Sequence, residues 1–411
     1  MDNAHRLAPA GVDCSRPLVD SSALEHLRSA AKGLRVAIVH DWLVTRGGAE
    51  KVLQAFLRAF PQAHVFTLVD SLADAERAWL GKHPVTTSFL QRMPLAKRHY
   101  RYYLPLMPAA VARFNVADYD LVISSSHAVA KGIPTHSNQA HICYCHTPMR
   151  YAWDMREGYL QDAGWQGPKA WLARYSLHRL RQWDLTTAAH VDHFWANSNN
   201  VKARIDNYYH REAEVLYPPV DVDALTVNEG ERDDFYLAAS RLVPYKRLDL
   251  IIEAFRAMPD KRLVVIGNGP DRKRLEALAE GASNIELLGY REDAVLHDYL
   301  RRARAFVFAA DEDFGILPLE AQASGTPVIA YGSGGALETV RAPESQHDPA
   351  ATGIFFDTHT PDSLRDAVAS FETRRFDPSA CRHNAERFSH SVFWRRTQTL
   401  LTHAGLVATP S

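Results

Sequence analysis

Residues 34–42, LRVAIVHDW, are apolar at consecutive positions rather than at alternate ones. A strand wetted on one face alternates apolar and polar side chains, so a continuous run marks a strand buried on both faces. Such strands belong to parallel sheets, whose crossovers bring helices onto both faces. The chain repeats this unit. RGGAEKVLQAFLRAF follows, with two glycines and then apolar residues at helical spacing. AHVFTLVD, DYDLVISSS, AHICYCH and HFWANS are further strand runs, and a second series begins near Phe235: FYLAASR, RLVVIGNGP, NIELLGY, AFVFAAD, TPVIAYG and GIFFD. Between the series lies YPPVDVDALTVNEGERDD, rich in proline and acid. Strands alternating with helices predict an α/β chain of two Rossmann-like, doubly wound lobes facing a cleft. The expected division is a loose N-terminal extension over 1–33, a first lobe over 34–216 and a linker over 217–234. A second lobe over 235–385 follows, then a last helix over 386–411 that packs back on the first lobe.

The chain has 411 residues, enough for two ordinary domains. A formal net charge of −1 provides no global field for nucleic acid, so an anionic ligand has to be held by a local site. Cys143 and Cys145 stand one residue apart in an apolar run, a spacing that suits neither a zinc pair nor a disulfide framework. They read as buried thiols. The first twenty residues lack the apolar core of a secretory signal, and no apolar run approaches the ~20 residues of a membrane span. The expected location is the cytoplasm.

In doubly wound sheets ligands sit beyond the carboxyl ends of the strands. There RLVPYKRLD offers Arg241 and Lys246, two cations that suit a pyrophosphate clamp. A solvated basic turn is the plainer alternative. In DEDFGILPLEAQ, Gly315 frees a turn and Pro318 suits the first turn of a helix. The N–H groups of Phe314, Gly315, Ile316 and Leu317 would then point at an anion. Glu312 falls in the loop and Glu320 in the first helical turn, where carboxylates can accept from sugar hydroxyls or simply favour the helix end. VVIGNGPDRKRL is a broken dinucleotide fingerprint, with Arg272 where a third glycine would stand. Gly267, Asn268 and Gly269 read instead as close backbone approach to a nucleoside. Gly332, Gly334 and Gly335 form a second phosphate-compatible turn or a plain connector. Of the two acidic runs, DED at 311–313 overlaps the first of these motifs and DVD at 221–223 lies in the linker, so no metal site is expected.

Taken together, SRLVPYKRLDLIIEAF, LVVIGNGPDRKRLEALA, NIELLGY, EDFGILPLEAQASGTPVIA and GSGGALETV resemble glycosyltransferase family 4 in order and spacing, over roughly residues 35–400. The resemblance implies the GT-B fold and retaining transfer from a nucleotide sugar. It implies that Glu312 contacts the donor sugar and Glu320 the ribose, and that Arg241 and Lys246 neutralise the diphosphate. Tyr290 joins the donor-binding set.

In the first lobe the same resemblance turns Gly47 and Gly48 toward donor phosphate and acceptor, with Asp41 and Arg46 lining that loop. For Asp41, capping of a loop or helix is the alternative. His127 ends a strand and would bond the donor sugar or its departing oxygen. His146 and Arg150 lie in YCHTPMRYAWD, a segment similar to mannosyltransferases of O-antigen and exopolysaccharide assembly, and are expected on the acceptor side. The subgroup favours GDP-mannose as donor over a UDP-sugar, and a saccharide or polyprenyl-diphosphate-linked acceptor. The rival readings are another enzyme on the same fold, such as a phosphorylase or nucleotide-sugar epimerase, a dinucleotide oxidoreductase, against which the broken fingerprint at Arg272 argues, and a binding protein that keeps the donor pocket without the chemistry. Residues 89–114 mix Arg92, Lys97, Arg98, Arg101 and Arg113 with apolar and aromatic side chains, a composition suited to contact with an anionic membrane surface or to ordinary packing.

Overall fold

The computed structural model describes residues 21–150, 152–153, 168–228, 230–345 and 348–408. Cys14, most of the expected N-terminal extension and the end of YCHTPMRYAWD lie outside the described residues. The described chain forms two parallel sheets. The first holds β1 (Val36–His40), β2 (His64–Thr67), β3 (Val85–Thr87), β4 (Leu121–Ser126), β5 (Ala140–Cys145), β6 (His193–Ala196) and β7 (Ala213–Val215) in the order β3-β2-β1-β4-β5-β6-β7. The second holds β8 (Tyr236–Ala239), β9 (Leu263–Ile266), β10 (Ile285–Gly289), β11 (Ala305–Phe308), β12 (Val328–Tyr331) and β13 (Gly353–Phe356) in the order β10-β9-β8-β11-β12-β13.

The continuous apolar runs are the central strands: every residue of β1, β4, β8, β9 and β11 is buried. β3 and β7 escaped the sequence reading. Each is three residues long at a sheet edge, too short and too exposed to show a pattern. Strand order reverses between β1 and β4 in one lobe and between β8 and β11 in the other. These reversals open the crevices where doubly wound sheets bind ligands.

Two segments are more firmly packed than a loose extension and a linker suggest. Within 1–33, Ser21–Ala30 is a helix that buries Ala23, Leu24 and Leu27. They join one core with Phe393, Trp394, Leu400 and Leu401 of the last helix, His390–His403. Trp394 Nε1 donates to the Ala55 carbonyl at 3.2 Å, so this helix lies on the first lobe. The 217–234 strap is seated rather than loose. It buries Val220, Val222 and Leu225 against Phe314, Leu319 and Phe388, and Arg382 Nη1 donates to the carbonyls of Val222 and Leu225 at 2.6 and 2.9 Å. Between 89 and 111 the chain folds as four short helical turns; Pro94 lies between the first two and Pro105 within the third.

Candidate functional site

The second lobe builds its half of the cleft from the loops after β8, β9, β11 and β12. Gly315, at φ 85°, caps the helix Ile316–Ala323, a conformation that favours glycine. The loop before it is packed from behind. Gly335 N–H donates to the Glu312 carbonyl at 2.7 Å, and a Cβ at Gly335 would stand 2.2 Å from Phe314 Cα. A Cβ at Gly267 would meet Ser240 O at 1.8 Å, and one at Gly269 would meet Leu242 O at 2.2 Å. Asn268 spends its side-chain oxygen on Gly269 N–H and its carbonyl on Leu242 N–H. These turns therefore owe their glycines to close approach of the chain itself. Gly267 to Gly269 seat the loop that carries Arg241, and Gly334 and Gly335 seat the loop that carries Glu312.

Lys246 Nζ is paired with Glu312 Oε1. Burial first, and Arg150 second, pull the Lys246 ammonium down to about 8. The Glu312 carboxylate is its partner in the ion pair. Arg241 and Tyr290 are exposed at the ends of β8 and β10. Phe314 is buried, stacking on Tyr217 and edge-on to Phe388, so only its backbone can face a ligand.

Glu320 lies in the second turn of its helix, not the first, and is buried. There its Oε1 meets Lys51 Nζ of the first lobe. Burial alone would lower the Lys51 ammonium; the Glu320 carboxylate more than offsets this and its pKa is raised. Other contacts join the lobes. Asp313 accepts from Arg150 at 2.7 Å and pairs with Arg204 at 3.0 Å. Glu338 accepts the backbone N–H groups of Asn199 and Asn200 at 2.9 and 3.0 Å, capping the helix Asn199–Tyr209 from the opposite lobe. It also accepts from Tyr217 OH at 2.9 Å, and burial with this carboxylate pushes the Tyr217 phenol up to about 12. A Cβ at Gly48 would stand 3.1 Å from Ile316 Cδ1, so the first-lobe glycine loop touches the mouth of the second-lobe helix. Arg46 is exposed and donates to Gln54 at 3.2 Å.

The first lobe arranges its polar groups across strands. Asp41 is fully buried, and its carboxylate accepts the N–H groups of His127, Ala128, Val129 and Ala130 at 2.7–2.9 Å. A saturated, buried carboxylate cannot line an acceptor site, which corrects that expectation: Asp41 holds the loop after β4 in place. His127 Nδ1 lies 3.2 Å from Asp41, and its ring stands edge-on to Trp42 at 4.5 Å. His146 follows β5, with its ring 6.2 Å from that of His127. Burial lowers both histidines below the usual imidazole range, opposed at His127 by Asp41. Both imidazoles are therefore neutral near pH 7.

Behind them stand residues the sequence did not point to. His40 Nδ1 meets Ser125 Oγ at 3.0 Å, Ser125 Oγ meets His146 Nε2 at 2.8 Å, and His40 Nε2 lies 3.5 Å from Glu50 Oε1. The pairing of β1 with β4 sets His40 opposite Ser125, a juxtaposition no local motif announces. Glu50 alone left a trace: it lies three residues after Gly47, the spacing at which a glutamate accepts the cap N–H, and does so here at 2.8 Å. Lys51 and Glu338 are ordinary helix residues in sequence. Their partners lie 269 residues away and in the opposite lobe.

Comparison with known proteins agrees with this arrangement. Residues 46–224 match the model of Glycosyltransferase Family 4, and residues 226–388 match that of Glycosyl transferases group 1. The Saccharomyces cerevisiae alpha-1,3/1,6-mannosyltransferase ALG2 is 25% identical over 77% of this chain and 73% of its own length. A GDP-mannose-dependent alpha-(1-6)-phosphatidylinositol monomannoside mannosyltransferase of Mycobacterium tuberculosis is 34% identical over 38% of this chain and 46% of its own. An uncharacterized glycosyltransferase of Methanocaldococcus jannaschii is 26% identical over 48% of this chain and 55% of its own. The chain thus spans about half the length of several curated relatives it matches. Among solved structures, Anabaena Alr3699/HepE in complex with UDP and glucose superposes with a TM-score of 0.64 at 16% identity, covering 90% of this chain and all of that one. With one family model on each lobe and GT-B architecture throughout, the chain belongs to glycosyltransferase family 4.

Proposed function

We propose that this protein transfers mannose from GDP-mannose, with retention, to a saccharide or lipid-linked saccharide in cell-surface polysaccharide assembly, without a metal cofactor. The observation that carries the proposal is the meeting of Lys246 and Glu312 beside the N-terminus of Ile316–Ala323, with Gly48 of the other lobe against Ile316. A nucleoside diphosphate leaving group builds negative charge on its phosphates. Lys246, Arg241 and the N–H groups at the helix mouth, Gly315–Leu317, are the cations and dipoles that can stabilise it. Glu312, released from Lys246 by the incoming diphosphate, can accept from donor-sugar hydroxyls, and Glu320 from the ribose. Asn268 and Tyr290 border the same crevice. His127, neutral and held on Trp42, is suited to bond the donor sugar, while His146 and Arg150 face the acceptor side. Joining of the lobes through Lys51, Asp313 and Glu338 would exclude water while the acceptor is held.

The mannosyltransferase names of two relatives support mannose and, for one, GDP. A UDP-sugar is the second reading, supported by structural neighbours solved with UDP and UDP-glucose. Membrane contact is proposed through residues 89–114. Leu95, Tyr102 and Leu106 are exposed there, beside exposed Arg92, Lys97, Arg98 and Arg101. Among the described residues no helix is long and apolar enough to cross a membrane. The test is thermal stabilisation by GDP, UDP and ADP, each with and without Glu320→Ala, followed by turnover of the matching sugar conjugate. Stabilisation by GDP that the substitution removes, with release of GDP from GDP-mannose, is the expected result. Stabilisation by UDP alone selects the second reading, and binding without turnover would leave a donor-binding protein.

A further inference from the structure

Glu50, His40, Ser125 and His146 form one chain of contacts from the glycine loop to the end of β5. Its direction follows from what each group can donate. A carboxylate only accepts. Burial would raise the Glu50 carboxyl, but the His40 contact and the Gly47 N–H outweigh it and keep the group ionised. In its neutral form His40 then carries its proton on Nε2, facing the carboxylate, which leaves Nδ1 as an acceptor. Ser125 Oγ–H donates to that Nδ1, and the Ser125 oxygen is left to accept from His146 Nε2–H. The remaining His146 nitrogen, Nδ1, is then a lone pair, and among the described residues no hydrogen bond reaches it. Glu, His and Ser in this order suggest a hydrolytic triad, but Ser125 is fully buried and its oxygen is engaged on both sides, so it is no nucleophile.

We propose that Glu50, His40 and Ser125 are positioning residues that set the tautomer of His146, so that its Nδ1 lone pair accepts a hydrogen bond from the hydroxyl of an incoming saccharide acceptor. The acceptor half rests on the glycosyltransferase reading above; the tautomer half does not. The relay is reversible by one isosteric change. In Glu50→Gln the amide oxygen is claimed by Gly47 N–H, which the carboxylate serves at 2.8 Å. The amide NH2 then points at His40 Nε2 and donates to it. His40 carries its proton on Nδ1 and donates to Ser125, Ser125 donates to His146 Nε2, and His146 Nδ1 becomes an N–H. The imidazole keeps the same number of protons, but its second nitrogen changes from acceptor to donor.

The experiment is NMR of 15N-histidine-labelled full-length protein, with no ligand present. The expected result is Nε2–H for His146 in the natural chain and Nδ1–H in Glu50→Gln. Ser125→Ala, which cuts the relay without reversing it, should show a mixture. The same tautomer in all three proteins overturns the relay. GDP with octyl α-mannoside is then added. A shift of His146 Nδ1 in the natural chain, absent in Glu50→Gln, supports the acceptor role, with transfer from GDP-mannose to the mannoside, assayed separately, falling roughly 10- to 100-fold while GDP affinity stays within about twofold. No shift at saturating mannoside overturns the acceptor role. Failure of GDP, UDP and ADP alike to perturb any resonance would instead refute the glycosyltransferase reading, with the tautomer result unaffected.

Discussion

In the second lobe the groups at the strand ends stand close in sequence or face each other across one crevice. Glu312, Asp313, Gly315 and Glu320 lie within nine residues, and Lys246 reaches Glu312 from the neighbouring loop. In the first lobe Asp41, His127 and His146 come from three strand ends, and His40, Glu50 and Ser125 from two strands and a helix. The second lobe offers cations, carboxylates and open N–H groups. The first offers neutral imidazoles whose donor and acceptor roles are set by partners behind them. A fixed ligand such as a nucleoside diphosphate suits the former, because charge is recognised at several points at once. A hydroxyl acceptor needs direction more than charge, and a tautomer supplies direction.

Four substitutions or conditions test this contrast. Asp41→Ala should be the most damaging, since it leaves four buried N–H groups without their acceptor. A loss of roughly 4 kcal/mol or more is expected in chemical denaturation, from about 1–3 kcal/mol per orphaned group with partial relaxation. A loss below about 1 kcal/mol would mean that the loop after β4 is held by something else.

Lys246→Ala should reduce turnover about 100- to 1000-fold with unchanged circular dichroism, the cost of removing one stabilising donor from a charge-developing site. Near-normal turnover would assign the diphosphate to Arg241 and the helix mouth alone.

A pH titration is the third. In the free protein Lys246 loses its proton near pH 8, and the diphosphate needs the ammonium. Nucleoside diphosphate affinity should be flat below that pH and fall about tenfold per unit above it. Isothermal titration at pH 7 and 9 measures the drop, and Lys246→Arg should flatten the profile because guanidinium stays charged. An equal decline in Lys246→Arg would place the titrating group elsewhere.

The mildest expected effect is that of Glu338→Gln. One amide oxygen can still accept from the helix Asn199–Tyr209, but the charge at its N-terminus is gone. A loss of about 0.5–1 kcal/mol in thermal stability is expected. A loss of several would show that the lobes depend on this one cap.

Legibility followed the same contrast. Central strands could be read because burial on both faces writes itself into consecutive apolar residues, as in LVVI and AFVF. Edge strands VTT and AEV could not, since a short, half-wet strand has no pattern to show. The turn at Gly315 was visible from its neighbours, because a helix start is a local event. The reason for Gly267 and Gly269 was not, since the atoms that crowd them belong to residues 240–242. The strap over 217–234 hid its buried Val220, Val222 and Leu225 among prolines and acids.

Local chemistry along the chain was enough to specify two doubly wound lobes, a helix mouth flanked by carboxylates, and cations at a strand end, because each depends on residues within one or two turns of one another. Which groups are available to a ligand was not encoded so locally. Asp41 is consumed by four N–H groups of a loop some 86 residues away, Glu320 meets a lysine of the opposite lobe, and His146 takes its orientation from a serine that strand pairing sets beside His40. Hydrogen-bonding capacity is finite, so a side chain's freedom depends on every partner that folding brings to it.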